Sequence, residues 1–131
     1  MGEIKKVIFI ADDDSDYLIQ MKMHCQSFGF DVITASSQKE AEYIIEKTRP
    51  DLAIFDLMME KEDSGFTLCY KMKRKYPEVP IILATAVVSE TGFSFRLITE
   101  TDKQWIKADL YLEKGIRKEQ LHKEINKLLK L

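Results

Sequence analysis

Residues 5–18 read KKVIFIADDDSDYL, and the way this stretch divides decides the fold. Lys5 to Ala11 is a nearly continuous apolar run, as expected of a strand buried on both faces. After three aspartates the period changes: from Ser15 to Phe28 the apolar residues Leu18, Met21, Cys25 and Phe28 recur at helical spacing. Gly29 stands just past that helix, where a left-handed residue is expected. A buried strand running into a helix is the first half of a β-α-β crossover. The acidic break needs its own reason, because adjacent like charges repel. Asp14 directly precedes the helix and reads as its cap. Asp12 and Asp13 are left to be explained.

The unit repeats down the chain. Phe30 to Ala35 is a second strand, and Ser37-Gln38-Lys39-Glu40 is a capping box opening a helix with Ala41, Ile44, Ile45 and Thr48 inward. Pro50 stops it; Leu52 to Phe55 forms a third strand ending at Asp56. Gly65 to Tyr76 reads as a helix with Phe66, Leu68, Cys69, Met72 and Tyr76 inward, and Ile81 to Thr85 as a fourth strand. Residues 87–107, with Gly92, Phe93, Phe95 and Trp105, are expected to hold one helix and an extended loop. Leu110 to Leu112 is a short fifth strand, and Arg117 to Leu129 an amphipathic helix on Leu121, Ile125 and Leu128. Five β-α units imply an α/β domain, a parallel sheet with helices on both faces.

Composition narrows the function classes. At 131 residues the chain suits one domain, and 45% hydrophobic with 32% charged residues is ordinary for a globular protein. A net charge of -2 argues against binding nucleic acid by bulk electrostatics, and no apolar run approaches a membrane span. Cys25 and Cys69 lack metal-type spacing and fall at apolar helix positions, so reduced, packed thiols and a cytoplasmic location are expected.

Ligands of open α/β sheets bind beyond the carboxyl ends of the strands. Asp12 and Asp13 stand there after strand one, Asp56 after strand three, Thr85 after strand four and Lys114 after strand five. Each alone is weak; their joint occurrence is specific. The set ADDD, PDLAIFDLMM, ILATA and DLYLEK resembles the receiver domain of two-component response regulators, from about Lys5 to Leu129. The resemblance implies a flavodoxin-like three-layer sandwich with strand order 2-1-3-4-5, and a single receiver domain over 1–131 with no output domain in this chain. It makes Asp56 the phosphoacceptor, Thr85 the switch hydroxyl and Lys114 the site lysine. Mg²⁺ (or Mn²⁺) would be held by Asp13, Asp56 and the backbone carbonyl of Met58, with Asp12 acting largely through a bound water. Three carboxylates against Mg²⁺ and Lys114 sum to zero charge; without the ion they oppose assembly of the site. Tyr111 fits both the family's aromatic switch and plain packing of a short strand. The implied donor is a sensor histidine kinase or phosphotransfer protein. A downstream effector or output domain would read the face around the fourth helix, fifth strand and fifth helix. A phosphorylation-linked homodimer is also admitted by the resemblance, with no direct nucleic-acid or membrane partner and no classical enzymatic turnover.

The chain departs from the pattern in four places. Glu60 stands where proline is usual, Ser64 is an insertion, Gly115 replaces the proline after the lysine, and Thr85 to Tyr111 spans 26 positions, several more than usual. None removes a chemical group. A receiver-like scaffold independent of phosphate is the rival reading, supported by Glu60 and Gly115. A Mg²⁺-dependent phosphatase is the third, and it is weak because Met58 stands where a general acid is needed.

Overall fold

A computed structural model describes residues 5–59, 64–85 and 108–131. The strands are β1 (Val7–Ala11), β2 (Asp31–Ala35), β3 (Leu52–Asp56), β4 (Ile81–Thr85) and β5 (Leu110–Glu113). Among the described residues the helices are α1 (Ser15–Ser27), α2 (Gln38–Lys47), α3 (Ser64–Lys75) and α4 (Lys118–Leu129). All pairings are parallel and the order is β2-β1-β3-β4-β5, the flavodoxin-like order expected from the sequence. The helix and loop expected within 87–107, and Glu60, lie outside the described residues.

Strand parity builds two cores. Phe9, Ala11, Ala53, Phe55, Ile81 and Leu83 face α2 and α3, where they meet Ala41, Ile45, Leu68, Cys69 and Met72. Ile8, Ile10, Leu52, Ile54, Ile82 and Ala84 face α1 and α4, against Leu18, Met21, Cys25, Leu121 and Ile125. Burying each large side chain from both faces contributes about 1.5–3 kcal/mol, so the sheet is the dominant apolar mass. Cys25 and Cys69 are free and buried within these cores, and burial pushes the Cys25 thiol up to about 12.

Local signals set the helix ends. Asp14 Oδ1 accepts from the N–H groups of Asp16 and Tyr17, capping α1. At its other end Gly29 N–H reaches the Gln26 carbonyl and Phe30 N–H the Cys25 carbonyl, with Gly29 at φ 97°, which a side chain would strain. The α2 box forms with one change. Ser37 accepts from Glu40 N–H, but the Glu40 carboxylate takes the N–H of Ser36 instead of that of Ser37. His122 of α4 stacks on Phe28 with centroids 4.0 Å apart and ties the end of α1 to α4.

Two further aspartates clamp the amino ends of the strands. Asp51 Oδ2 accepts from Val7 N–H at 2.7 Å; Asp109 Oδ2 accepts from Ile81 N–H at 2.8 Å and pairs with Lys73 at 2.9 Å. Of the lysines closing α3, Lys71 and Lys75 pair with Glu42 and Glu46 of α2.

Candidate functional site

The site is built by register. Ala11 lies opposite Phe55, so one residue further Asp12 arrives beside Asp56; Asp56 in turn lies opposite Ala84. Asp12 N–H bonds the Ala35 carbonyl and Leu57 N–H the Ala84 carbonyl, which extends the sheet's bonding one step past β1 and β3. Lys114 is set the same way, by its N–H on the Thr85 carbonyl at 2.8 Å. Four strand ends therefore deliver their polar side chains to one rim.

Asp12 and Asp56 are almost wholly buried, 1% and 5% exposed, whereas Asp13 is exposed. One carboxylate oxygen from each of the three lies within 4.8 Å of the others. The Lys114 ammonium bridges the buried pair, 2.7 Å from Asp12 Oδ2 and 3.2 Å from Asp56 Oδ1. Asp12 Oδ1 accepts from Asp14 N–H at 2.8 Å, so the first carboxylate is fixed at both oxygens. Burial foremost, then the charge of Asp12, pushes Asp56 up to about 7, against the pull of Lys114. Burial works to lower the Lys114 ammonium, but its bond to Asp12 and the charges of Asp56 and Asp12 prevail and hold it above the ordinary lysine value.

Three carboxylates and one ammonium leave a charge of about -2 when all are ionised. The donors are all hard oxygens, and two are buried. That set fits a small divalent cation such as Mg²⁺ or Mn²⁺, which takes carboxylate and water oxygens. Met58 lies two residues past Asp56, half-buried. Thr85 is buried at the end of β4. Tyr111 lies opposite Leu83 and packs on the α2–α3 side of the sheet. The structure thus brings Asp12, Asp13, Asp56 and Lys114 together, sets Thr85 at the end of the neighbouring strand, and leaves Tyr111 on the packed face. Among the described residues no peptide bond is cis, Lys114–Gly115 included.

Two residues of the site carry no signal in the strand-end pattern. Gly65, at the start of α3, donates its N–H to the Leu57 carbonyl, and a Cβ there would stand 2.5 Å from the Asp56 carbonyl oxygen. Tyr17, in the first turn of α1, lies with its ring 4.6 Å from the Lys114 ammonium.

Comparison with known proteins agrees with this geometry. The family model of the response regulator receiver domain matches residues 8–126. The heme response regulator HssR of Staphylococcus aureus is 39% identical over 77 residues, covering 59% of this chain and 34% of that protein. A probable transcriptional regulator, ycf27, of Cyanophora paradoxa is 31% identical over 126 residues, covering 96% of this chain and 49% of that protein. The chain spans about a third to a half of the length of such curated relatives. A receiver domain protein (CheY-like) from Methanospirillum hungatei superposes with a TM-score of 0.83 at 25% identity, over 97% of this chain and 95% of that one.

Proposed function

The chain belongs to the response regulator receiver domain family of two-component systems, and from that premise we propose that it accepts a phosphoryl group on Asp56 from a phosphohistidine. The observation carrying this reading is the Lys114 ammonium bridging Asp12 and Asp56 at 2.7 and 3.2 Å, with Asp13 in the same cluster. A carboxylate oxygen of Asp56 attacks phosphorus, the P–O bond forms, the P–N bond to the donor imidazole breaks, and the imidazole leaves with the bonding pair. The chain's part is to position and to stabilise charge. Asp13, Asp56 and the Met58 carbonyl, with Asp12 largely through a water, would hold a divalent cation, which would supply positive charge against the incoming phosphoryl group. Lys114 lowers the repulsion between the Asp56 carboxylate and that group. The product carries about one more negative charge than the free carboxylate, which Lys114 and the Thr85 hydroxyl are suited to meet by charge-assisted hydrogen bonds.

In this reading the chain works in the cytoplasm and its donor is a sensor histidine kinase or phosphotransfer protein. The output is a changed surface near β5 and α4, read by an effector, an attached domain or a second copy of the chain. Tyr111 would be the aromatic that reports the movement of Thr85. Incubation with a small phosphodonor and Mg²⁺ should add one acid-labile phosphate by intact mass. A label that persists in Asp56→Asn would sink the assignment of the acceptor. A wild type that takes no label and binds no Mg²⁺ would mark a scaffold instead.

A further inference from the structure

Tyr17 touches the site yet has no part in the reading above. It is half-buried in the first turn of α1, its N–H on the capping Asp14, and its ring stands 4.6 Å from Lys114 Nζ. That is within the range of ammonium–aromatic attraction. The same ammonium reaches Asp12 and Asp56, so it is held between two carboxylates and one ring face.

Among the described residues these are the contacts that hold its charged end. Its backbone N–H is tied to the Thr85 carbonyl, and the next residue is Gly115, where an added Cβ would meet nothing within 4 Å. A cavity of about 40 Å³ lies beside its stem, lined by Tyr17, Met21, Ile54, Leu112, Lys114 and Leu121 among others. The side chain is 18% exposed, and a four-carbon stem has several rotatable bonds to fix, so a contact at its charged end bears on where the ammonium sits.

We propose that Tyr17 is a positioning residue for Lys114, its ring face fixing the ammonium over the Asp12–Asp56 pair. Burial, with the charges of Asp12 and Asp56, pushes the phenol well above its ordinary range, so the ring that the ammonium meets is neutral. The ring and not the hydroxyl performs the task, which separates Tyr17→Phe from any aliphatic replacement. The kinetic consequence rests on Asp56 as phosphoacceptor; the placement of the ammonium does not.

The test compares the full chain with Tyr17→Phe, Tyr17→Leu and Tyr17→Met, the last keeping a long apolar side chain should the leucine variant not fold. With no phosphodonor present, lysine-selective NMR should find the Lys114 Hε protons shifted upfield by the ring in wild type and Tyr17→Phe. They should return to the ordinary lysine position in the aliphatic variants. With a small phosphodonor and Mg²⁺, labelling should slow about 3- to 10-fold in the aliphatic variants and stay within about twofold in Tyr17→Phe, as expected for loss of one ammonium–ring contact. Lys114 protons at the ordinary position in wild type, or aliphatic variants that label as fast as wild type, would overturn the proposal. If the wild type takes no label at all, the fault lies with the phosphoacceptor reading, and the NMR comparison alone decides the placement.

Discussion

Asp56 shows what the site demands of a single residue. Its carboxyl is pushed up to about 7 by burial and by Asp12, while in the unfolded chain it titrates near the ordinary aspartate value of 3.8. Between those pH values the unfolded chain releases a proton that the folded one keeps. Stability therefore falls as pH rises from about 4 to about 7, and above 7 the full penalty stands. In metal-free buffer at pH 8, Asp56→Asn should stabilise the protein by about 1–3 kcal/mol, and the gain should vanish near pH 4. Urea unfolding in EDTA at both pH values measures it. Gly65 is constrained from the other side, since any Cβ would collide with the Asp56 carbonyl oxygen and the Leu57 backbone. Gly65→Ala should cost about 1–3 kcal/mol by the same measurement, because the obstacle is backbone and cannot swing aside.

At the scale of elements, the strands do two jobs with the same residue type. Aspartates at their amino ends, Asp51 and Asp109, satisfy the N–H groups of Val7 and Ile81; those at their carboxyl ends are gathered into the site. Asp109→Ala would leave Ile81 N–H and Lys73 without that oxygen, at a cost of about 1–3 kcal/mol in a chemical melt. Lys73→Met removes the ion pair together with the bonds of Lys73 Nζ to the Val79 and Pro77 carbonyls, and leaves the Asp109–Ile81 bond in place. The strands, the caps at Asp14 and Ser37 and the glycine at 29 were legible because each depends on neighbours in sequence. The clamps by Asp51 and Asp109, the turn of Glu40 to Ser36 and the His122–Phe28 stack were not, because each needs a partner that only the folded chain or its exact backbone supplies. Tyr17 is the same case. Nothing in the helical period of α1 singles it out, and its meaning comes from Lys114 at the far end of the chain.

Across the whole molecule the site is a meeting of separate segments, so its ligand should couple to global stability. A divalent cation that binds the folded site and not the unfolded chain stabilises by about 2.7 kcal/mol at a hundredfold excess over its Kd. Mg²⁺ should therefore raise the melting temperature by several degrees, and Asp13→Asn should abolish most of that rise. Asp13 is suited to this test because it is exposed and its loss leaves the buried Asp12–Lys114–Asp56 bridge in place. The strand-end group was legible as a set because a parallel sheet puts all its carboxyl ends on one rim.

Strand parity has a genetic consequence. Ile8 and Ile10 point to one core and Phe9 and Ala11 to the other, so one codon gained or lost inside β1 or β3 would exchange the two cores and turn the terminal aspartate away from its partners. Such an allele should be lost outright. A codon gained between those for Met59 and Ser64, or between those for Thr85 and Leu110, leaves every described strand in phase. Both places where this chain differs in length from the pattern it resembles are of the second kind. Change of length is thereby confined to segments outside the described strands, with substitution the only change open to the strands themselves.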